Sequence, residues 1–247
     1  MTYDDDTGSG LPGGPLPHSV EPERIPWSDF LAEFQWRQGE HVSLIGPTGA
    51  GKTTLALALL PRRDYIAIIA TKPRDPVVAE AEHSGFKVLR DWPDHVDWRE
   101  TPRIVLWPRF AKLGDLKRQQ RIVHRALGSM FSAGGWTIYV DELSYLTNTL
   151  RLESAVSLLL QQGRSLGITF VCGTQRPAHV PLLIYDQASH VFMWRDNDEA
   201  NLKRLGGLGG LDSRIIRTTV AALPLHDVLY VNTRGEGALT VTRVDVE

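Results

Sequence analysis

The chain has 247 residues, 42% of them apolar and 23% charged, with 22 glycines, 15 prolines and a net charge of −2. That is enough apolar material for a substantial core, and it excludes a wholly disordered chain, a collagen-like repeat and a coiled coil. A single cysteine, Cys172, rules out an internal disulfide or a cysteine-based zinc site and fits a reducing compartment, so a cytoplasmic location is expected.

The first residues, Met1-Thr-Tyr-Asp-Asp-Asp6, are acidic where an export signal would be basic, and no apolar segment follows. The longest apolar runs, residues 55–60 and 65–70, span six residues each, far short of the ~20 a membrane span needs. No membrane insertion is expected. Residues 1–24 carry five acids and one base and are rich in glycine and proline; they read as a flexible acidic leader, with residues 25–247 as a single domain. Gly8-Ser-Gly-Leu-Pro-Gly13 matches a dinucleotide fingerprint in form only, because no strand precedes it and prolines flank it.

From Trp27 onward, short apolar runs alternate with helical stretches. Strands are expected at 41–45, 65–70, 86–89, 103–107, 136–140, 168–173 and 189–194, with helices between most of them. This alternation predicts a mostly parallel sheet with helices on both faces, an α/β three-layer sandwich. At the end, residues 227–232 and 238–244 read as an antiparallel hairpin.

Gly46-Pro47-Thr48-Gly49-Ala50-Gly51-Lys52-Thr53-Thr54 matches the G-x-x-x-x-G-K-[ST] phosphate loop and follows the apolar strand His41-Val-Ser-Leu-Ile45. Glycines let successive backbone N–H groups converge on phosphate, and the helix that follows presents its positive end. Lys52 would neutralise β/γ charge, and Thr53 would ligate Mg²⁺. ATP and Mg²⁺ are the expected ligands, and Pro61 should stop the helix.

Hydrolysis also needs a metal-organising acid and a base. Trp136-Thr-Ile-Tyr-Val-Asp141-Glu142 is an apolar strand ending in two carboxylates, at the sheet edge where such folds place ligands. Asp141 would sit in the Mg²⁺ shell and Glu142 would polarise the attacking water. Simple capping of the next helix is the competing explanation for both acids.

Gln162-Gly163-Arg164, then Gly167-Ile, an apolar strand and Thr174-Gln175-Arg176-Pro177 resemble the signature of the HerA/FtsK division of P-loop ATPases. With the two motifs above, the likeness runs from about residue 40 to about residue 195, and the closing hairpin is typical of the division too. The resemblance implies a P-loop NTPase fold with an extra strand between the P-loop strand and the acid strand, and a homo-oligomeric motor, hexameric or a similar ring, that moves double-stranded DNA. Viral genome-packaging ATPases, cellular DNA pumps and conjugation-type transporters share this division. The docking partner would be a capsid portal or vertex for the first and a nuclease for an end-processing pump; a viral motor would work in host cytoplasm or at the virion vertex. By the same likeness Gln175 would sense the γ-phosphate or the lytic water. Arg164 is the first candidate for an arginine finger acting on a neighbouring subunit's nucleotide, with Arg176 and Arg195 next.

Gly163-Arg-Ser165-Leu-Gly167 also satisfies the hydrolase pattern G-x-S-x-G, but a helix precedes this serine and a strand follows it, the reverse of a nucleophile elbow. Residues 99–125 hold eight bases against two acids. Leu116, Ile122, Val123, Ala126, Leu127 and Met130 form one helical face, with Lys117, Arg118, Arg121 and Arg125 opposite. The stretch, which also holds Arg109 and Lys112, would suit phosphate tracking; a solvated face or a subunit interface explains the stripe equally well. Residues 143–151, with Tyr145, Asn148 and Arg151, form a second candidate DNA contact. A different class, a nucleotide-gated assembly protein without pumping, leaves Glu142 and Gln175 unexplained.

Overall fold

The computed structural model describes residues 21–94, 97–108, 113–206, 208, 212–234 and 239–246. Most of the leader, the Gly8–Gly13 match, Arg109, Lys112 and residues 235–237 of the hairpin connection lie outside them. In chain order the elements are β1 (Glu23–Arg24), α1 (Trp27–Glu33), β2 (His41–Ile45), α2 (Lys52–Leu59), β3 (Ile66–Ile69), α3 (Pro76–His83), β4 (Lys87–Leu89), β5 (Arg103–Leu106), α4 (Leu116–Ala133), β6 (Thr137–Val140), α5 (Glu153–Gln162), β7 (Thr169–Thr174), α6 (Leu183–Asp186), β8 (Ala188–Trp194), α7 (Glu199–Leu205), α8 (Ser213–Ala222), β9 (Asp227–Asn232) and β10 (Leu239–Arg243).

Among the described residues the strands form one sheet in the order β1-β10-β9-β8-β2-β7-β6-β3-β5-β4. Every pairing from β8 to β4 is parallel, and β9 is antiparallel to both β8 and β10. The sandwich with a closing antiparallel hairpin is therefore present, and β7 lies between β2 and β6, as the resemblance implied. One strand had no sequence signal: Glu23–Arg24, at the end of the stretch read as leader, pairs parallel to Thr240 and Val241.

The three layers follow from the period of two along a strand. Ile66 and Ile68 face one cluster with Leu55 and Leu59 of α2 and Val77 and Val78 of α3. Ala67 and Ile69 face the other, with Ile122, Val123 and Leu127 of α4 and Val156 and Leu160 of α5. With both faces covered, the central strands read as apolar runs rather than as alternation. Helix α2 ends at Leu59, and a 3₁₀ turn containing Pro61 follows, as the proline requires. Helix α5, a 3₁₀ turn and β7 succeed one another around Ser165, so the elements run opposite to a nucleophile elbow. No described helix is long and apolar enough to cross a membrane.

Helix α4 buries Ile122, Val123, Ala126, Leu127 and Met130. Its first turn differs from expectation: Leu116 is 39% exposed, and Gln119 is buried in its place. The polar side chain goes inside because Tyr145 Oη donates to Gln119 Oε1 at 2.7 Å, which satisfies the buried amide.

Candidate functional site

The phosphate loop leaves β2 at the C-terminal edge of the parallel strands. Gly49 and Gly51 hold φ of 78° and 110°, a region that side chains with a Cβ avoid, and α2 begins directly after Gly51. Gly46 is required for a second reason, since a Cβ there would sit 2.6 Å from Trp194 Cβ. Lys52 is buried, and its ammonium donates to the carbonyls of Gly46 at 2.7 Å and Pro47 at 2.8 Å. Burial pulls this lysine below its ordinary pKa, and the charges of Asp141 and Glu142 oppose that shift.

Asp141 follows β6 and faces the loop. Thr53 Oγ1 donates to its Oδ1 at 3.0 Å, Tyr139 Oη donates to the same oxygen at 3.1 Å, and Lys72 Nζ holds Oδ2 at 2.5 Å. Burial alone would raise this carboxyl. The hydrogen bond and charge of Lys72, then Thr53 and Lys52, outweigh it and keep Asp141 below the usual aspartate value. Burial, reinforced by the Asp141 charge, pushes Tyr139 well above the ordinary phenol value, so its hydroxyl remains a donor. Lys72 is also shifted: burial opposes its charge, but Asp141 prevails and holds the ammonium above the ordinary lysine range. The Asp141 carboxylate thus makes all its contacts with the loop and its surroundings rather than capping the segment that follows.

That segment carries Glu142, whose Oε1 accepts from Ser144 Oγ at 2.7 Å, and continues into a π-helix over Tyr145–Thr149. Gln175 follows β7, and its Oε1 accepts from Thr48 Oγ1 at 2.9 Å, which lays the expected sensor against the phosphate loop. Beneath these contacts Gly173 lets β7 approach β6, because a Cβ there would lie 2.2 Å from the Asp141 carbonyl oxygen.

Thr53 and Asp141 offer hard oxygens 3.0 Å apart, a donor pair that suits Mg²⁺, with phosphate and water completing its shell. Among the described residues no group of three or more His, Cys, Asp or Glu side chains could hold a metal by itself.

The three candidate arginines separate. Arg176 and Arg195 line a cleft of about 500 Å³ together with Pro47, Gln175 and Asp198, beside the phosphate loop. Arg164 lies in the turn before β7, exposed, with its backbone oxygen 3.1 Å from where a Gly39 Cβ would stand. Gly39 precedes β2, so Arg164 sits at the N-terminal sheet edge, across the strands from Lys52.

The basic stripe is partly neutralised. Arg125 pairs with Asp91 at 2.8 Å and Asp94 at 3.1 Å, and Arg118 lies 3.7 Å from Asp91. Lys117 meets Thr149 and Arg151 across a groove of about 360 Å³, so the two stretches read as DNA contacts adjoin.

The site roles of Lys72, Tyr139 and Gly173, and the contact of Thr48 with Gln175, do not follow from the sequence motifs. Two of them had a signal. Lys72 follows an apolar strand as Asp141 does, and Tyr139 shares the strand face of Asp141 two residues on.

No protein-family model matches the chain, and no curated protein sequence matches it. Solved structures do. The genome packaging NTPase B204 from Sulfolobus turreted icosahedral virus 2, in complex with sulfate, superposes with a TM-score of 0.60 at 14% identity, over 86% of this chain and 100% of that one. Its complex with ATP-gammaS gives 0.59 at 16% identity, over 85% and 100%. The pCW3 conjugation coupling protein TcpA, with ATPgS, gives 0.51 at 14% identity, over 92% and 71%. These are P-loop ATPases of the HerA/FtsK type, and the chain shares their fold.

Proposed function

We propose that this chain is an ATP-hydrolysing motor that moves double-stranded DNA, as a viral genome-packaging ATPase working in a homo-oligomeric ring. The observation that carries the reading is the Thr53–Asp141 hydrogen bond of 3.0 Å. It joins the phosphate-loop helix to the acid strand, with Glu142 the next residue and Gln175 tied to the loop through Thr48. The DNA part draws on the fold shared with B204, which is described as a DNA-packaging ATPase, and on the basic residues of α4.

In this reading the backbone N–H groups around Gly49 and Gly51 and the Lys52 ammonium bind the phosphates and fix the γ-phosphoryl group. Thr53 and Asp141 would hold Mg²⁺, which when bound would neutralise charge on the phosphate oxygens. Lys72 and Tyr139 keep the Asp141 carboxylate ionised and oriented. Glu142 accepts the proton of the water that attacks γ-phosphorus, and Ser144 orients its carboxylate. Gln175, donor and acceptor in one side chain, positions the water or the γ-phosphate. Arg164 of a neighbouring protomer would complete the site as an arginine finger. The motor would act in host cytoplasm or at a virion vertex, docked on a capsid portal.

The likeness to TcpA supports a second reading within the class, a conjugation-type transporter or cellular pump. One experiment tests the core of both: ATP turnover with and without duplex DNA, on the native protein, Lys52→Ala and Glu142→Gln. DNA should stimulate turnover, Lys52→Ala should lose nucleotide, and Glu142→Gln should bind nucleotide while turnover falls at least ~100-fold. DNA-independent hydrolysis that survives Glu142→Gln overturns the reading, and a protein that binds nucleotide without any turnover is a nucleotide-gated assembly protein instead.

A further inference from the structure

We propose that the nucleoside of the bound nucleotide packs on an apolar wall formed by Val244 and Val246, beyond the end of β10, with His226 fixing that wall to the phosphate loop. The inference rests on the phosphate-site reading above and adds where the base goes.

The direction follows from topology. The loop springs from β2, which has β7 on one flank and β8, β9 and β10 on the other. Thr53 and Thr48 reach to the first flank, toward Asp141 and Gln175, so the reacting γ-phosphate belongs there. A triphosphate oriented this way directs its α-phosphate and nucleoside to the opposite flank.

On that flank the chain returns to the loop. A Cβ built on Gly51 would lie 3.3 Å from Val246 Cγ2 and 3.4 Å from Val244 Cβ and Cγ1, so both valines are in van der Waals range of the last glycine of the loop. Val244 is buried and supports the wall, whereas Val246 leaves 43% of its surface exposed. An exposed valine beside a loop built for phosphate is what the flat apolar face of a nucleobase can cover.

The wall is held in place. His226 adopts φ of 68°, a left-handed conformation that is unfavourable for a residue with a Cβ. In that conformation its carbonyl accepts from Val244 N at 3.0 Å and its Nδ1 stands 3.3 Å from the Ala50 carbonyl oxygen. A carbonyl only accepts, so Nδ1 carries the proton in that contact. One residue thereby bridges the loop and the strand end that would receive the base.

The test separates base from phosphate by calorimetric titration, in the presence of Mg²⁺, with the non-hydrolysable analogue AMPPCP and with inorganic tripolyphosphate. Native protein, Val246→Ser and Val246→Leu are compared; both substitutions are neutral and fall at an exposed position. Val246→Ser should weaken AMPPCP roughly fivefold and leave tripolyphosphate within about twofold, because only about one apolar side-chain contact is lost. Val246→Leu should bind AMPPCP at least as tightly as native protein. Unchanged AMPPCP binding by Val246→Ser, equal weakening of both ligands, or native protein that binds tripolyphosphate as tightly as AMPPCP overturns the wall and leaves the phosphate site standing. Native protein that binds neither ligand overturns both.

Discussion

Lys72 reaches from the loop after β3 to hold Asp141 Oδ2 at 2.5 Å, on the side of the carboxylate opposite the oxygen that Thr53 contacts. The lysine side chain is 44% exposed and the aspartate only 13%, so solvent screens the pair from one side. Lys72→Met should cost no more than about 1 kcal/mol of stability. The loss should shrink as salt rises, because screening already weakens the native pair. Urea unfolding at low and high salt checks both.

Gly173 and Asp141 make a harder constraint. A Cβ at position 173 would stand 2.2 Å from a backbone oxygen, which no rotamer change relieves. Gly173→Ala should therefore force β7 and β6 apart and cost about 3 kcal/mol. Nucleotide binding should weaken as well, since Asp141 and Gln175 are carried by the two displaced strand ends. Chemical denaturation and nucleotide titration on the same sample would show whether the two losses go together.

Acid sensitivity is expected from His41. Phe170 N donates to its Nδ1 at 3.0 Å, so the proton sits on Nε2 and is offered to the Leu160 carbonyl at 3.1 Å. This tautomer satisfies both nitrogens in the neutral ring, and burial pulls the pKa down to about 4. Above the ordinary histidine value of ~6.5, folded and unfolded chains are both neutral and the full stability is present. As the pH falls below that value only the unfolded chain takes up the proton, so stability declines until about pH 4, by up to ~3 kcal/mol. His190 is also depressed by burial, against the pull of Glu40, and adds in the same direction. Unfolding midpoints followed down from neutral pH should fall, and His41→Gln should flatten the slope without abolishing it.

The two kinds of arginine on α4 should behave differently. Arg125 is tied to Asp91 and Asp94, whereas Arg121 has no carboxylate within ion-pair distance among the described residues. If α4 tracks DNA, Arg121→Ala should reduce the slope of log affinity against log salt by about 1, as loss of a phosphate contact does. Arg125→Ala should act on thermal stability more than on that slope. Binding isotherms at several salt concentrations, paired with melting curves, separate the two.

The positions of most strands, the layers and the phosphate loop are legible in the sequence because each has a local signature, whereas the order of the strands is not, apart from β7 between β2 and β6, which the resemblance implied. Apolar runs mark buried parallel strands, and the glycine spacing around Lys52 is dictated by backbone geometry. The acids were found by their place after a strand. The need for glycine at 173 and the bond from Thr48 to Gln175 are not legible in the sequence, because they depend on what lies across the sheet: the carbonyl of Asp141 and the amide of Gln175. Strand β1 escaped for the same reason, since Glu23 and Arg24 are ordinary polar residues until β10 and Asp227, bonded by Arg24 at 2.7 Å, are beside them. Gln119 reversed an amphipathic pattern at one position because a tyrosine hydroxyl from another segment was there to satisfy it.

Cys172, the only cysteine in the chain, is buried in β7, and burial pushes its thiol up to about 12. Maleimides attack thiolates, so at neutral pH the folded native protein should be nearly silent toward them. The chain is in effect a ready background for labelling at a single chosen point. A reporter introduced by Arg164→Cys, on the exposed turn before β7, would be the dominant reactive thiol, and its spectrum would test whether a second protomer's nucleotide approaches that turn, without any need to remove the cysteine already there.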